Sequence, residues 1–192
     1  MQFLEPEVQL KTIKNNIDEI IPEDELLEKL KFSYDNNTPL RVKAGFDPTT
    51  SNLHLGHLLL LRKLKVFQEL GHKICFLIGD FTAKIGDPTN RDKTRPSLDE
   101  GTINKNAATY KDQLFKILEE DNVEILYNSK WFNDFDLSNL IKLASLENVA
   151  RLLERDDFKK RYKSGEPITV TEFLYPILQA YDSVVLECDI EV

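Results

Sequence analysis

The 192-residue sequence predicts an α/β protein built on a parallel sheet, and three observations carry that expectation. Residues 40–46 alternate, with Leu40, Val42, Ala44 and Phe46 on one side, as a strand does. Residues 55–70 are strongly helical, and Gly71 follows where a helix C-terminus favours glycine. Residues 73–81 (KICFLIGDF) form a compact apolar run, which suits a parallel strand covered on both faces. Strand, helix and strand within about 40 residues make a βαβ unit, for which a right-handed crossover is expected.

The remaining elements follow in order. Residues 5–20 and 23–34 read as two helices, with Leu10, Ile13 and Ile17, then Leu26, Leu27, Leu30 and Tyr34 at helical spacing. Asp35, Asn36 and Asn37 break that pattern as turn formers. After the first strand, Asp47-Pro48-Thr49-Thr50-Ser51-Asn52 is turn chemistry throughout. Residues 99–119 read as helix, 123–127 as a short strand, and 137–163 as helix with a break near Leu146. Thr169 and Glu172 match a capping box that opens a helix running to about residue 185. Residues 188–192 alternate like a last strand, and the sequence reads like a cut through a larger protein. There is no internal repeat and no Gly/Ser linker. Residues 1–39 are expected as an N-terminal helical segment and residues 40–192 as the α/β unit.

Composition narrows the function classes. With 25 basic and 33 acidic side chains the net charge is −8, and 41% hydrophobic with 30% charged residues describes an ordinary globular chain with one substantial core. Two cysteines exclude a disulfide scaffold and a Cys-rich zinc site, and three histidines leave little for a metal centre. The acidic, polar N-terminus does not read as a secretory signal, and no apolar run reaches membrane-spanning length, so a cytoplasmic address is expected. An acidic surface argues against nucleic-acid binding over the whole face but leaves room for a local basic patch.

Ligands of open parallel sheets bind outside the carboxyl ends of the strands, and two loops fall there. The first runs from Gly45 through Asp47, Pro48 and Thr49 to His54-Leu55-Gly56-His57. The two histidines lie three apart at a helix start, where free N–H groups and the helix dipole favour an anion. Gly56 lets a flat ring approach the backbone, and Thr49 adds a hydroxyl donor. The set suits a nucleoside triphosphate, although an isolated H-x-G-H also arises by chance. Zinc is disfavoured, since no third ligand is near in sequence and the metal wants three or four. The second loop holds Asp87, followed by Arg91, Lys93 and Arg95; it is a solvated turn or a mobile clamp for phosphate. A third element is the stripe Tyr175, Gln179 and Asp182 at i, i+4 and i+7 on an otherwise apolar helix. A mostly apolar helix is expected to be buried, so the stripe should face a cavity or an internal partner rather than the solvent that an ordinary amphipathic helix meets. Converging on a pocket, its phenol, amide and carboxylate could hold a small zwitterion with a polar tip.

In this order, KAGFDPTTSNLHLGH, IGDFTAKIGDPT and TEFLYPILQAYD resemble the catalytic domain of the bacterial tyrosyl-tRNA synthetases, over roughly residues 40–192. The resemblance implies a Rossmann-like class I synthetase domain, incomplete at its C-terminus. It also implies a parent enzyme that activates tyrosine with ATP and Mg2+ and transfers it to tRNA. His54, His57 and Thr49 then match residues that stabilise the ATP phosphates, and Gly56 matches the glycine beside adenine. Gly45, Asp47 and Pro48 belong to the adenylate site. Arg91 and Arg95 fall near mobile basic residues that meet pyrophosphate. Asp87, Tyr175 and Gln179 match residues that bind the α-amino group of tyrosine, and Asp182 the carboxylate that reads the phenolic hydroxyl. A homodimer with helices of about residues 135–175 at its interface is also implied.

The sequence departs from the pattern at Lys43, where many relatives carry a second hydroxyl-reading tyrosine. The later Gly-Gly-[Ser/Thr]-Asp-Gln segment, the K-M-S-K-S signature and the C-terminal tRNA-binding region are not in it, so the chain alone is expected to be weakly active or inactive. Three alternatives stay open at this point. They are a tryptophanyl-tRNA synthetase, another H-x-G-H nucleotidyltransferase such as a phosphopantetheine adenylyltransferase, and a non-catalytic binding or dimerisation module.

Overall fold

The computed structural model describes residues 3–86 and 99–192. Its centre is a parallel sheet of β1 (Arg41–Phe46), β2 (Lys73–Ile78), β3 (Val123–Tyr127) and β4 (Ile190–Glu191), in the order β3-β2-β1-β4. Helix α3 (Leu55–Glu69) makes the crossover from β1 to β2. The register sets Phe46 opposite Ile78 and Ile78 opposite Tyr127, so three strands end level with one another. The loops that leave these strands therefore start side by side.

Alternation along the strands sorts the side chains between two faces. Val42, Ala44, Phe46, Ile74, Phe76 and Ile78 join the larger core. There they meet Ile13 of α1 (Pro6–Ile13), Leu26 and Leu30 of α2 (Glu23–Asn36), Leu61 and Leu64 of α3, and Tyr110 and Leu114 of α5 (Glu100–Leu114). On the opposite face Cys75 and Leu77 pack with Leu126, Trp131 and Leu186, beside α10 (Val170–Val185). Lys43 and Gly45 alternate onto this second face.

The βαβ core stands where the sequence puts it, and the differences lie at element ends. Helix α1 stops at Ile13 because Asn16 takes a left-handed φ of 57°, a conformation that asparagine tolerates better than most residues. Ile17 and Ile20 still pack against the core from outside the helix. Strand β2 ends at Ile78: one last bond across the sheet joins the Gly79 N–H to the Phe46 carbonyl at 2.9 Å, and the chain then turns into α4 (Thr82–Ile85). Residues 137–163 divide into α7 (Leu137–Ala144), α8 (Val149–Leu152) and α9 (Asp156–Ser164), after α6 (Ser129–Phe132). Asp136 and Asn148 cap the first two of these, accepting from Asn139 N at 2.7 Å and Arg151 N at 2.9 Å. The capping box at Thr169 and Glu172 is formed, and Arg161 pairs with the same glutamate.

The expectation of a helix buried all round fails for α10. Among its residues Glu172, Leu178 and Asp182 are buried, whereas Val184 is 69% exposed. Its outer side faces α7 and α8 across an open groove of about 560 Å³ lined by Leu143, Leu146, Ile177 and Tyr181. No described helix is long and apolar enough to cross a membrane.

One buried polar pair ties the N-terminal helices to the sheet. His72 is fully buried; its Nδ1 accepts the Leu40 N–H at 3.2 Å, so Nε2 carries the proton and donates to Gln9 Oε1 at 2.9 Å. Burial pushes His72 down to about 4, partly opposed by the charge of Asp189. In the unfolded chain the ring titrates near 6.5, so the unfolded state takes the proton first as pH falls. Stability is full above about 6.5 and drops as pH falls towards 4, by up to about 3 kcal/mol from this group. Urea denaturation across that range should show the loss, and His72→Phe, less stable overall, should lose that part of the pH dependence.

Candidate active site

The site grows from the carboxyl ends of β1, β2 and β3. The loop after β1 is fastened from α5, whose side chains satisfy its backbone groups. Asn106 Nδ2 donates to the Pro48 carbonyl at 3.0 Å, Tyr110 Oη to the Asp47 carbonyl at 3.2 Å, and Gln113 Nε2 to the Ser51 carbonyl at 2.8 Å. Gln113 Oε1 accepts from Leu53 N at 2.8 Å. Backbone groups leaving a sheet need such partners or water, and here they come from one helix. Within the loop, Thr49 N donates to the Asp47 carbonyl at 2.7 Å, and Pro48 is buried.

This loop delivers the chain to the N-terminus of α3. His54 is its N-cap and accepts the Gly56 N–H on Nδ1 at 3.2 Å, while His57 Nδ1 accepts the His54 N–H at 3.3 Å. Both rings therefore spend their lone pair on backbone and carry their proton on Nε2. The rings stack at 3.8 Å between centroids, and His57 meets the Phe46 ring edge-on at 5.5 Å. Burial pushes His57 below the usual histidine range, and the neighbouring His54 charge adds to this. His54 and Gly56 are exposed, so two N–H donors and a helix start meet solvent together. A Cβ on Gly56 would sit 3.1 Å from the His54 ring, tight enough to push the cap aside.

Asp47 and Asp182 are joined through a chain of hydrogen bonds. Tyr175 Oη donates to Asp47 Oδ2 at 3.0 Å, and Thr82 Oγ1 donates to Asp47 Oδ1 at 2.8 Å. Asn128 Nδ2 donates to Thr82 Oγ1 at 3.0 Å and to Asp182 Oδ2 at 3.3 Å, and Trp131 Nε1 donates to Asp182 Oδ1 at 2.9 Å. Asp182 is 2% exposed, and burial pushes its carboxyl up to about 6 against the opposing pull of Trp131, Asn128 and Lys43. Gly79 lies beneath this chain, where an added Cβ would overlap Asp47 Oδ1 and Thr82 Oγ1. Gly45 is exposed although it sits on an inner strand, and an added Cβ there meets only Leu77, at 4.0 Å. The sheet is thus open to solvent at that point.

Three stretches far apart in the sequence therefore meet: the 47–57 loop, the turn after β2 and α10. Gln179 shares the helix but turns towards β4, its Nε2 donating to Glu191 Oε1 at 3.1 Å. Asp87, Arg91 and Arg95 lie outside the described residues. Sequence reasoning missed Thr82, Asn128 and Trp131. Asn128 stands directly after β3, at the third carboxyl end of the sheet, and Trp131 is the sole tryptophan; both signals were available. Among the described residues no group of three His, Cys, Asp or Glu side chains is placed to hold a metal ion.

A family model described as class I tRNA synthetases (W and Y) matches residues 35–192. The chain is 54% identical over 185 residues to a tyrosine–tRNA ligase of Photobacterium profundum, covering 96% of this chain and 46% of that protein. It is 53% identical over 187 residues to the tyrosine–tRNA ligase of Aquifex aeolicus, covering 97% and 47%. The chain thus spans about half the length of the curated relatives it matches. In three dimensions it is similar to the tyrosyl-tRNA synthetase of Archaeoglobus fulgidus solved with L-tyrosine. There the TM-score is 0.76 at 23% identity, over 97% of this chain and 54% of that one. A C-terminally truncated mitochondrial tyrosyl-tRNA synthetase of Coccidioides posadasii gives 0.69 at 28% identity, over 93% and 51%.

Proton NMR of the imidazole resonances tests the paired cap. His57 should titrate below the ordinary value of 6.5, and His54→Ala should move it up by removing a like charge.

Proposed function

Because the chain belongs to the class I tRNA synthetases of the tryptophan and tyrosine group, we propose that it forms the ATP- and tyrosine-binding part of a tyrosine–tRNA ligase. The contact that carries this reading is Tyr175 Oη on Asp47 Oδ2 at 3.0 Å, which brings α10 to the loop leading into the imidazole cap. In this reading a triphosphate binds at the α3 N-terminus beside a slot for a free aromatic amino acid.

The proposed chemistry needs no enzyme nucleophile. The tyrosine carboxylate attacks the α-phosphorus of ATP, supplied as its Mg2+ complex, and pyrophosphate leaves. A hydroxyl of tRNA then attacks the tyrosyl carbonyl of the adenylate, forming an ester as AMP leaves. Nε2–H donors of His54 and His57, with the Thr49 hydroxyl, stabilise charge that grows on the phosphates in the transition state. Gly56 makes room for adenine, and Gly45, Asp47 and Pro48 form the floor and wall of the adenylate site. Arg91 and Arg95 would meet pyrophosphate. Asp87, Tyr175 and Gln179 would hold the ammonium group, for which Gln179 has to exchange its Glu191 contact. Asp182 accepts the phenolic hydroxyl; a buried carboxylate with two donors fixed on it has a set orientation, which favours a third donor of the right shape. Aminoacylation in a bacterial cell places the full-length protein in the cytoplasm.

The proposal extends to a homodimer. Leu137 (71% exposed), Ile141 (61%), Leu146 (81%) and Val149 (58%) lie on α7, α8 and the turn between them, beside the groove against α10. So much large apolar surface in one place marks an interface.

Two measurements check these readings in the full-length protein. In ATP–pyrophosphate exchange with tyrosine, phenylalanine and tryptophan, Asp182→Ala should cut preference for tyrosine over phenylalanine roughly 10- to 100-fold. Unchanged selectivity, or tryptophan as the favoured substrate of the unaltered protein, would refute the tyrosine assignment. Sedimentation should show a dimer that Ile141→Asp converts to monomer.

A further inference from the structure

Lys43 is a fully buried lysine, and the family resemblance gives it no role. It lies on β1 two residues before Gly45, on the sheet face that α10 covers. Taking an ammonium group out of water is costly unless acceptors replace the lost hydration, and Lys43 has three. Its Nζ donates to the Gln179 carbonyl at 3.0 Å, to Ser183 Oγ at 2.8 Å and to Glu191 Oε1 at 3.1 Å. Gln179 and Ser183 bracket Asp182 on α10, three residues before it and one after. Glu191 also accepts from Gln179 Nε2 at 3.1 Å and from Ser183 Oγ at 2.9 Å. The ammonium thus pins the turn of α10 that carries Asp182 to both β1 and β4.

We propose that Lys43 is a positioning residue for the amino-acid slot: it fixes the α10 turn bearing Asp182 and presents positive charge to that carboxylate, keeping it ionised to accept the substrate's phenolic hydroxyl. The inference rests on the tyrosine reading above. It replaces a second direct reader of the hydroxyl with a charge that acts through the first. The groups that face Asp182 among the described residues support it. From β1 comes the positive Lys43, from β4 the negative Glu191, and from the turn after β3 and from α6 the neutral donors Asn128 and Trp131. Asp47 is reached through Thr82 and Asn128, and Asp80 is engaged by Ser129 N at 2.9 Å and Ser129 Oγ at 2.6 Å. Lys43 pulls the Asp182 carboxyl down and Glu191 pushes it up, while burial remains the largest influence.

Two charges of opposite sign beside one carboxylate give a test that a purely structural lysine does not pass. In the full-length protein, kcat/KM for tyrosine in ATP–pyrophosphate exchange is measured from about pH 5 to pH 8. The acidic limb should have a midpoint near 6 and vanish in Asp182→Asn. Lys43→Met should move the midpoint up by roughly one pH unit, Glu191→Gln should move it down, and Lys43→Arg should leave it close to its original place. If Asp182→Asn keeps the limb, Asp182 does not read the substrate and the tyrosine reading itself falls. If that variant loses the limb but Lys43→Met and Glu191→Gln leave the midpoint fixed or move it the same way, the role of Lys43 is overturned and the tyrosine reading stands. Should Lys43→Met not fold, Glu191→Gln decides alone: a lower midpoint supports the proposal, and an unchanged or higher one overturns it.

Discussion

A carboxylate that has lost nearly all contact with water constrains everything around it. Asp182 needs donors at fixed places, and neither of the two that hold it belongs to its own helix. Trp131 and Asn128 come from the β3 edge of the sheet, and Asn128 can serve Asp182 only because it is also set by Thr82 and by the Phe81 N–H. Thr82 in turn is committed to Asp47, and Asp47 to Tyr175, back on α10. The chain of bonds leaves α10 and returns to it. Moving any one member leaves a buried polar group without its partner, at a cost of about 1–3 kcal/mol.

The parallel sheet makes that closed path possible. Level strand ends at Phe46, Ile78 and Tyr127 bring Asp47, Gly79 and Asn128 out beside one another. Gly79 is where space runs out, because the carboxylate of Asp47 lies against its backbone. The opposite happens at Gly45, where the sheet is left uncovered. One glycine lets two side chains meet, and the other leaves room for something that is not protein.

The sheet was legible because local signals agreed there. Alternation in 40–46, an unbroken apolar run in 73–78 and a glycine after α3 all point the same way, and the tertiary structure does not overrule them. Boundaries were legible only where a side chain marks them, as Thr169 and Asp99 do at the starts of α10 and α5. Helix α1 shows the limit: apolar spacing continues through Ile17 and Ile20, but the asparagines end the helix while the burial goes on. Helix α10 shows another, since an apolar sequence does not say which of its faces is covered by its own chain. At the candidate site, the pairing of His54 and His57 at the start of α3 and the inward placing of Tyr175 and Asp182 on α10 were readable from spacing, whereas the turn of Gln179 towards Glu191 was not. Thr82 and Lys43 were not readable either, because the partners that hold them lie 35 to 148 positions away in the chain.

The polar side of α5 carries a last consequence. Asn106, Thr109, Tyr110 and Gln113 hold the carbonyls of the 47–51 stretch, and their bonds go to that stretch rather than to the imidazoles it aims. To a surface survey Thr109 and Gln113 are ordinary half-covered polar residues, open to replacement. Genetic drift or a solubility redesign that swapped them for lysine or glutamate would leave the core untouched, yet it would slacken the mount on which the helix start is held. Damage at the imidazole pair can therefore map to a helix that stands one step behind it.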